Sequence, residues 1–466
     1  MRRSLVIAGT ALATAALSSV HAHAQGSAVM THGSCATALG AAGVASPCDD
    51  GSAILFNPAG LANQGSVVSG GVTGITTGGE FTYDVTGTKF KREQGTKAVP
   101  WGYASVRAGS RLAFGVGGFA PYGLGVDWPI GFEGRYVSYD TELKNIYIQP
   151  TVALRLTPRL SVGGGVDIVR ASIRIHQRVD LATTPTTTAG VTFGNLGFSS
   201  GTDFADALLE GDGSAVTFNV GAQAKLNDKW NLGVRYLHSA KIDYDGTADF
   251  SQISTGIVLP GGNPLGLPAG TPLDAVLAGQ FAAGGRLVDQ KLSTSLTLPS
   301  QLVVGLAWHP VPSLKLLGDY QRTGWESFDS AQIEFKNGGP SSPLILDYQN
   351  TNTYRFGADF AATQALNLRA GFIFNTAAEK AASVSPLLPE GERNYLTAGL
   401  GYRAGPLALD LGYQHIHQSD RRGRVRSRTS TAQGPEINTG VYHVNAHVLN
   451  ATVAIHFGGH GRAENP

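Results

Sequence analysis

The sequence predicts an all-β protein: a transmembrane antiparallel β-barrel of about 14 strands with an N-terminal hatch plugging the lumen. Three observations predict it. The chain begins with an export leader. A period-two alternation of apolar and polar or small residues runs through most of the chain beyond the leader. The connections between the alternating segments are in turn short and long.

The leader is read from residues 1–24. Arg2 and Arg3 form a short positive region, an apolar run extends from Leu5 to Leu17, and Ala22-His23-Ala24 is a small-x-small cleavage site. The run is too short for a membrane helix, which needs roughly 20 residues. No second such run occurs, so a helical membrane protein is excluded. The net charge of +1 and the 15% of charged residues give no basic surface for nucleic acid. Mean hydropathy is −0.02. Glycine, 62 of 466 residues, is about twice its usual share and suggests many strands and tight turns. The two cysteines, Cys35 and Cys48, enter an oxidising compartment, so a disulfide is expected. Neither lies behind a lipoprotein-type cleavage box.

From Val67 onward the segments alternate. In Leu449–Phe457, Leu449, Ala451, Val453, Ile455 and Phe457 share one face, opposite Asn450, Thr452 and His456. Leu407 to Gln418 and Thr353 to Phe360 behave alike. About fourteen such segments begin near Val67, Val99, Arg111, Leu143, Leu160, Ala215, Trp230, Leu292, Leu314, Asn352, Leu366, Asn394, Leu407 and Val444, the even count of a bacterial barrel. The connections at 108–110, 157–159, 227–229, 310–313, 362–365 and 404–406 are short, and all others are longer. Short periplasmic turns alternating with long outer loops mark this class. A soluble β-sandwich has no reason to alternate so regularly.

Two stretches in the long connections read as helices: Thr202 to Leu209 with a Thr or Asp cap, and Thr271 to Phe281 with Pro272 in its first turn. They either bury a stripe within the loops or form an apolar landing surface over the barrel mouth. Residues 25–66, rich in Gly, Ala and Ser and with a helical stretch over Ala36 to Ala45, are too few to hold a core of their own and must pack inside the barrel. The organisation expected is thus a signal peptide at 1–24, a hatch at 25–66, a barrel at 67–457 and a tail at 458–466.

Catalytic signatures are poor: there is no nucleophile elbow, Walker loop or HExxH. Gly115-Val116-Gly117-Gly118 lies in a β segment with no helix after it, so it is not a dinucleotide loop. No enzyme activity, cofactor or metal is expected. His415, His417, His443 and His447 are read as hydrated side chains at strand ends rather than metal ligands. On the inward faces lie Arg155, Arg235, Lys315, Arg355, Arg369 and Arg403, with Asp167, Asp319, Asp359 and Asp410. Most of these read as ion pairs of a wet lumen. Arg155, Arg355 and Arg369 are the candidates to meet a ligand carboxylate.

The run from Cys48 to Ala62, CDDGSAILFNPAGLA, resembles the N-terminal signature of the FadL-type long-chain fatty acid transporters, with Asn57, Pro58 and Ala59 at the hatch motif. Leu298-Pro299-Ser300, Gly324 to Phe328, and Leu388-Pro389 to Arg403 are also similar. The resemblance implies a hatch in the lumen and a third strand kinked inward to open the wall. Gly117, Gly118 and Pro121 are residues a broken strand would use there. It further implies passive uptake of a hydrophobic compound, long-chain fatty acids first, by loop capture, a lumen pocket, hatch movement and lateral exit into outer-membrane lipid, by a monomer.

Each buried CH₂ is worth about 0.8 kcal/mol, so a long acyl chain gains roughly 10 kcal/mol before costs. Release from so tight a site needs a movable element. Aromatic or alkane hydrocarbons carried by the same architecture are the alternative. A general diffusion porin or an outer-membrane enzyme are the alternatives from other classes. The nine residues after Phe457 depart from the usual aromatic terminus of such barrels.

Overall fold

Residue-by-residue alternation produces strands long enough to cross a membrane, and their ladder closes on itself. The computed structural model describes residues 32–457 except 94, 187–189, 329, 337–341, 382 and 426–438. The expected leader (1–24) and tail (458–466) lie outside the described residues. The first six strands are β1 (Ser66–Tyr83), β2 (Thr96–Ala108), β3 (Leu112–Asp127), β4 (Asp140–Thr157), β5 (Leu160–Asp180) and β6 (Asp203–Lys225). Next come β7 (Trp230–Leu237 continued by Ala240–Gln252), β8 (Gln290–Leu298 continued by Gln301–Val311), β9 (Leu314–Thr323) and β10 (Thr351–Ala361). The last four are β11 (Leu366–Asn375), β12 (Arg393–Ala404), β13 (Leu407–Gln418) and β14 (Gly440–Phe457). Short strands in the long loops extend the sheet.

All neighbours are antiparallel, and β14 returns to β1 from Ser66↔Phe457 to Tyr83↔Gly440. The ring of fourteen strands closes on itself, the condition for a β-structure in a bilayer. The six short connections all join strands at one end.

The faces separate as the alternation requires. On β14, Leu449, Val453, Ile455 and Phe457 point outward while Asn450, Thr452 and Ala454 are buried within. Outward aromatics gather at both rims. Trp230 stacks on Trp308 at 5.4 Å near the short turns, with Phe360, Tyr402 and Phe457 at the same end. Tyr320, Tyr354 and Tyr413 face outward toward the long-loop end. These are the girdles that sit at the lipid interfaces.

One expected helix is not there. From Asp203 on, the stretch Thr202–Leu209 belongs to β6: Ala205, Ala207 and Leu209 are buried, and residues 205–214 pair with β7 at 243–252. The stretch carries both periods, and a strand on each side decides between them. The second forms a short helix, Leu273–Leu277, continued by a 3₁₀ turn, Ala278–Gln280. Leu273 and Leu277 bury against Leu181, Phe193, Phe204 and Leu259 in a loop core. The helical stretch at Ala36 to Ala45 shortens to α1 (Ser34–Ala38), because Gly40 and Ala41 adopt left-handed backbone, φ 62° and 53°.

Residues 32–64 run through the barrel, and all but Asp49 and Asn63 are buried or half-buried. Cys35 and Cys48 are joined, Sγ to Sγ at 2.01 Å, pinning α1 to the start of the acidic pair. Changing both cysteines to Ser should cost this segment about 3 kcal/mol of its ordering. The barrel has its own ladder, so its heat-modifiable gel mobility should stay unchanged while the segment becomes a protease target. Equal protease resistance would rule out that role.

Candidate functional site

Three parts of the structure meet in the lumen: the N-terminal segment, the third strand and the inward charges. The N-terminal segment is held to almost every strand. Ser34 donates its amide to Thr452 Oγ1 at 2.9 Å and its hydroxyl to Asn450 Oδ1 at 3.1 Å, both on β14. Thr397 of β12 donates to the Ala38 carbonyl at 2.8 Å. Asp319 of β9 accepts the amides of Gly43 and Val44 at 2.8 and 3.0 Å. Gln149 of β4 donates to the Ile54 carbonyl at 2.9 Å. Ser69 of β1 donates to the Asp50 carbonyl.

The Asn57-Pro58-Ala59 element is the centre of this docking. The Asn57 side-chain amide donates to the carbonyls of Val44 (2.6 Å), Ala222 (3.1 Å) and Val234 (3.3 Å), and its Oδ1 caps the Ala59 amide at 3.2 Å. Pro58 then starts the 3₁₀ turn Pro58–Asn63, where a missing N–H costs nothing.

Inward glycines make the room. A Cβ on Gly163 would lie 2.5 Å from the Pro58 carbonyl carbon, one on Gly371 2.5 Å from the Gly40 nitrogen, and one on Gly412 2.7 Å from the Ser34 oxygen. Gly221 and Gly233 would overlap Asn57 and Val44. The glycine excess thus serves a cradle as well as the strands and turns it suggests by itself. Its signal for a cradle is glycine at inward positions of strands, which nothing in a single strand explains.

Burial pushes the Asp50 carboxyl up to about 6; its Oδ1 accepts the Ser52 amide at 2.9 Å and hydroxyl at 2.5 Å. The docked segment therefore holds more protons than the released one between the ordinary aspartate value of 3.8 and about 6. Docking should weaken as pH rises through that window and level off above it. Protease resistance of residues 32–64 should thus be higher at acid pH, and Asp50→Asn should flatten the profile. A wild-type profile without slope would contradict this.

The third strand breaks from its neighbour. β3 pairs with β2 only from Gly102↔Gly118 to Ala108↔Leu112. Residues 96–101 of β2 pair with β1 alone among the described residues, and residues 119–127 of β3 pair with β4 alone. The β3–β4 register shifts between Phe119 and Tyr122, with Ala120 and Pro121 opposite the single residue Ile146. This is a β-bulge built on a residue without an N–H. Gly117, Gly118 and Pro121 thus flank the parting of β3 from β2.

Beyond it Tyr122 turns fully inward and crosses the lumen, its hydroxyl donating to the Pro299 carbonyl at 2.7 Å. His32 contacts the backbone at the bulge, Nε2 to Ala120 O at 2.9 Å. Aromatic rings run from the parting into the lumen: Trp101 to Tyr103 (5.6 Å), Tyr103 to Phe119 (6.2 Å), Phe119 to Tyr147 (6.0 Å), and Tyr122 to Trp325 (6.0 Å).

The inward charges are mostly engaged. Arg155 donates to the Ala62 carbonyl at 2.7 Å. Arg355 donates to the Ala41 carbonyl at 3.2 Å and to Gln321 Oε1 at 2.6 Å. Arg369 pairs with Asp410 and, at 3.4 Å, with Asp359. The structure does not gather the three arginines into one pocket: two hold the N-terminal segment and one braces the wall. His415 and His447 lie ring to ring at 4.9 Å, and His447 Nδ1 contacts the Tyr413 hydroxyl at 2.8 Å. Above the bulge a small apolar cavity of about 30 Å³ is lined by Ile173, Ile175, Leu209, Leu292, Thr294 and Ile333 among others.

The comparisons with known proteins accord with this architecture. Residues 15–457 match the family described as outer membrane protein transport protein (OMPP1/FadL/TodX). The chain is 24% identical to outer membrane protein P1 of Haemophilus influenzae over 88% of its length and 90% of the relative's. It is also 24% identical to the long-chain fatty acid transport protein of Escherichia coli, over 64% of each. Its fold is similar to the crystal structure of a Pseudomonas aeruginosa FadL homologue (TM-score 0.76, 20% identity, 93% of this chain and 100% of that one). It is also similar to that of the Ralstonia pickettii toluene transporter TbuX (TM-score 0.64, 18% identity, 91% and 98%).

Proposed function

The chain belongs to the outer-membrane transport family of OMPP1, FadL and TodX, whose members carry hydrophobic compounds, and we propose that it takes up long-chain fatty acids passively by lateral exit through its wall. Its relatives and structural neighbours are transport channels rather than enzymes. The parting of β2 from β3 is the observation that carries the proposal. A transmembrane sheet forgoes backbone pairing only where the freed groups line a cavity or meet protein. Here an aromatic path leads to the gap while residues 32–64 block the straight route below. A hydrophobic ligand entering from the loops leaves most favourably sideways, because hydrocarbon lies outside the gap and water lies below. The loop core around Leu273 and Leu277 supplies the first apolar contact. A single barrel encloses the whole route, so a monomer suffices.

Residues 32–64 act as the hatch. When it moves, the carbonyls of Ala41 and Ala62 leave Arg355 and Arg155, which then offer charge-assisted donors to a carboxylate. Alanine at Arg155 or Arg355 should slow fatty acid uptake about tenfold, the worth of one such bond, and spare an alkane. Alanine at Arg369 tests whether its wall pairs can also be exchanged for a ligand. If none of the three slows fatty acid uptake, the carboxylate role is wrong. Aromatic hydrocarbons are the second reading, favoured by the ring-lined path; they need none of the arginines. Lipid extraction and mass spectrometry of the purified protein decide between them: long-chain acids support the first reading, and monoaromatics without acids overturn it.

A further inference from the structure

We propose that the outer wall formed by β12, β13, β14 and β1 at the long-loop end seats the phosphorylated glycolipid of the outer leaflet, one phosphate lying against His415 and His447. The proposal concerns the surface that faces the membrane and does not depend on what the lumen carries.

Alternation puts these histidines outside. Leu409, Leu411 and Tyr413 face outward on β13, and the same face continues through His415 and His417. On β14 it runs from Leu449 through His447 and Asn445 to His443. His415 stands opposite His447, and His447 opposite Thr76 of β1. The pair therefore lies one step above Tyr413, where the aromatic girdle ends and headgroups begin. The protein is one of the outer membrane, whose outer leaflet presents glycolipid phosphates at that level.

The pair is open to such a group. The rings are 4.9 Å apart, and His447 Nδ1 is taken by the Tyr413 hydroxyl at 2.8 Å. When that hydroxyl donates, the His447 proton sits on Nε2. Among the described residues, neither Nε2 of His447 nor either nitrogen of His415 makes a hydrogen bond. Like charges opposite one another on a sheet are unfavourable. A phosphate that accepts from both rings removes that repulsion and gains charge-assisted bonds. A metal fits less well. Even an open zinc site takes three protein ligands, and no three acids, histidines or cysteines are gathered for one among the described residues.

The surrounding charges favour a phosphate at this height. The row of the pair continues with Leu396 on β12 and Thr76 on β1, and the row above holds Asn394, His417, Asn445 and Gly78. Neither row contains an acid. Acids begin one row higher, with Glu392 beside β12 and Glu80 on β1. Most are matched there: Glu80 by Lys89 at 2.6 Å, Asp420 by His443 at 2.7 Å, and Asp84 by Arg422. Lys91 stands opposite Glu80. From His447 to His443 is four residues of strand, roughly 13 Å. A polar face that tall, mixed in charge above and lined by histidine below, suits sugar hydroxyls over a phosphate and exceeds the headgroup of a simple phospholipid.

The test places the full chain in phosphatidylcholine nanodiscs. It measures by native mass spectrometry the binding of lipid A, of lipid A stripped of its phosphates, and of phosphatidylglycerol. Readings are taken at about pH 5 and about pH 8, the ends of the range in which histidine changes charge. At the acid end lipid A should bind about tenfold tighter than its stripped form, the worth of one charge-assisted hydrogen bond, and the ratio should shrink at the alkaline end. The double variant His415→Gln, His447→Gln should lose most of the preference and its pH dependence. His238→Gln, an exposed histidine of β7 that also contacts a tyrosine hydroxyl, should keep both. Heat-modifiable mobility verifies that each variant is folded. Equal binding of lipid A and its stripped form, or an undiminished preference in the double variant, overturns the site. Phosphatidylglycerol bound as tightly as lipid A overturns the glycolipid as its occupant. A preference that appears only with added zinc overturns the phosphate seat in favour of a metal.

Discussion

The double variant Gly221→Ala, Gly233→Ala should conduct ions steadily in a planar bilayer, where the parent chain should conduct little. The new methyl groups would overlap Asn57 and Val44, the two residues joined by the shortest Asn57 hydrogen bond. Overpacking costs about 1–3 kcal/mol per site, so the pair should raise the displaced population of the hatch by roughly thirtyfold or more. The hatch is the side that yields. The wall is fixed by continuous ladders, whereas the hatch is fixed largely by single hydrogen bonds that water in the lumen can replace at a net cost of about 1 kcal/mol each. A barrel of fourteen strands lies between the 8-stranded kind that side chains fill and the 16-stranded kind that leaves an aqueous channel, so losing its plug should open it. Gly70→Ala is the control, because a Cβ there meets nothing nearer than 3.7 Å. Unchanged conductance in the double variant, with correct folding, would show that the hatch does not seal the lumen.

The barrel was legible because its signals are local and repeated. Period two is decided within each strand by which neighbours face lipid, and Leu449, Val453 and Ile455 carry that choice unaided. The turn at Gly405-Pro406 and its five counterparts are short for reasons of chain geometry alone. Features that depend on several distant segments at once were not legible. Thr202–Leu209 has helical spacing and strand alternation together, and only its pairing to 243–252 selects the strand. Arg155 and Arg355 read as candidates for a ligand carboxylate because the carbonyls they meet, Ala62 and Ala41, belong to a segment 93 and 314 residues away in the chain. Tyr122 and Gln301, 179 residues apart, gave no signal at all until the bulge turned one toward the other. The third-strand residues were legible in kind, since glycine and proline inside an alternating run mark irregular pairing. Which neighbour the strand would leave was not.

Deleting Pro121 should abolish uptake without abolishing binding. Phe119 pairs with Tyr147 and Tyr122 with Asn145, so one residue too many separates them on β3. Its removal sets Ala120 opposite Ile146 and restores one register from Leu112 to Asp127, with Tyr122 still pointing inward. A straight β3 then runs alongside residues 96–101 of β2, whose ladder on that side is otherwise open. Each backbone group left unpaired toward lipid costs several kcal/mol, so the strands gain strongly by zipping. A gain of even about 3 kcal/mol lowers the open population more than a hundredfold. The loop core, the aromatic rings and the lumen charges stay in place, so the ligand should still be captured and should co-purify in larger amount than with wild type. The measurement is uptake of labelled fatty acid by cells relying on this protein, set beside ligand content of the purified variant. Loss of uptake with retained ligand assigns the parting of β2 and β3 as the exit. Wild-type uptake through a sealed wall would move the exit to the hatch, and the protein would deliver its cargo to the periplasm instead of the membrane.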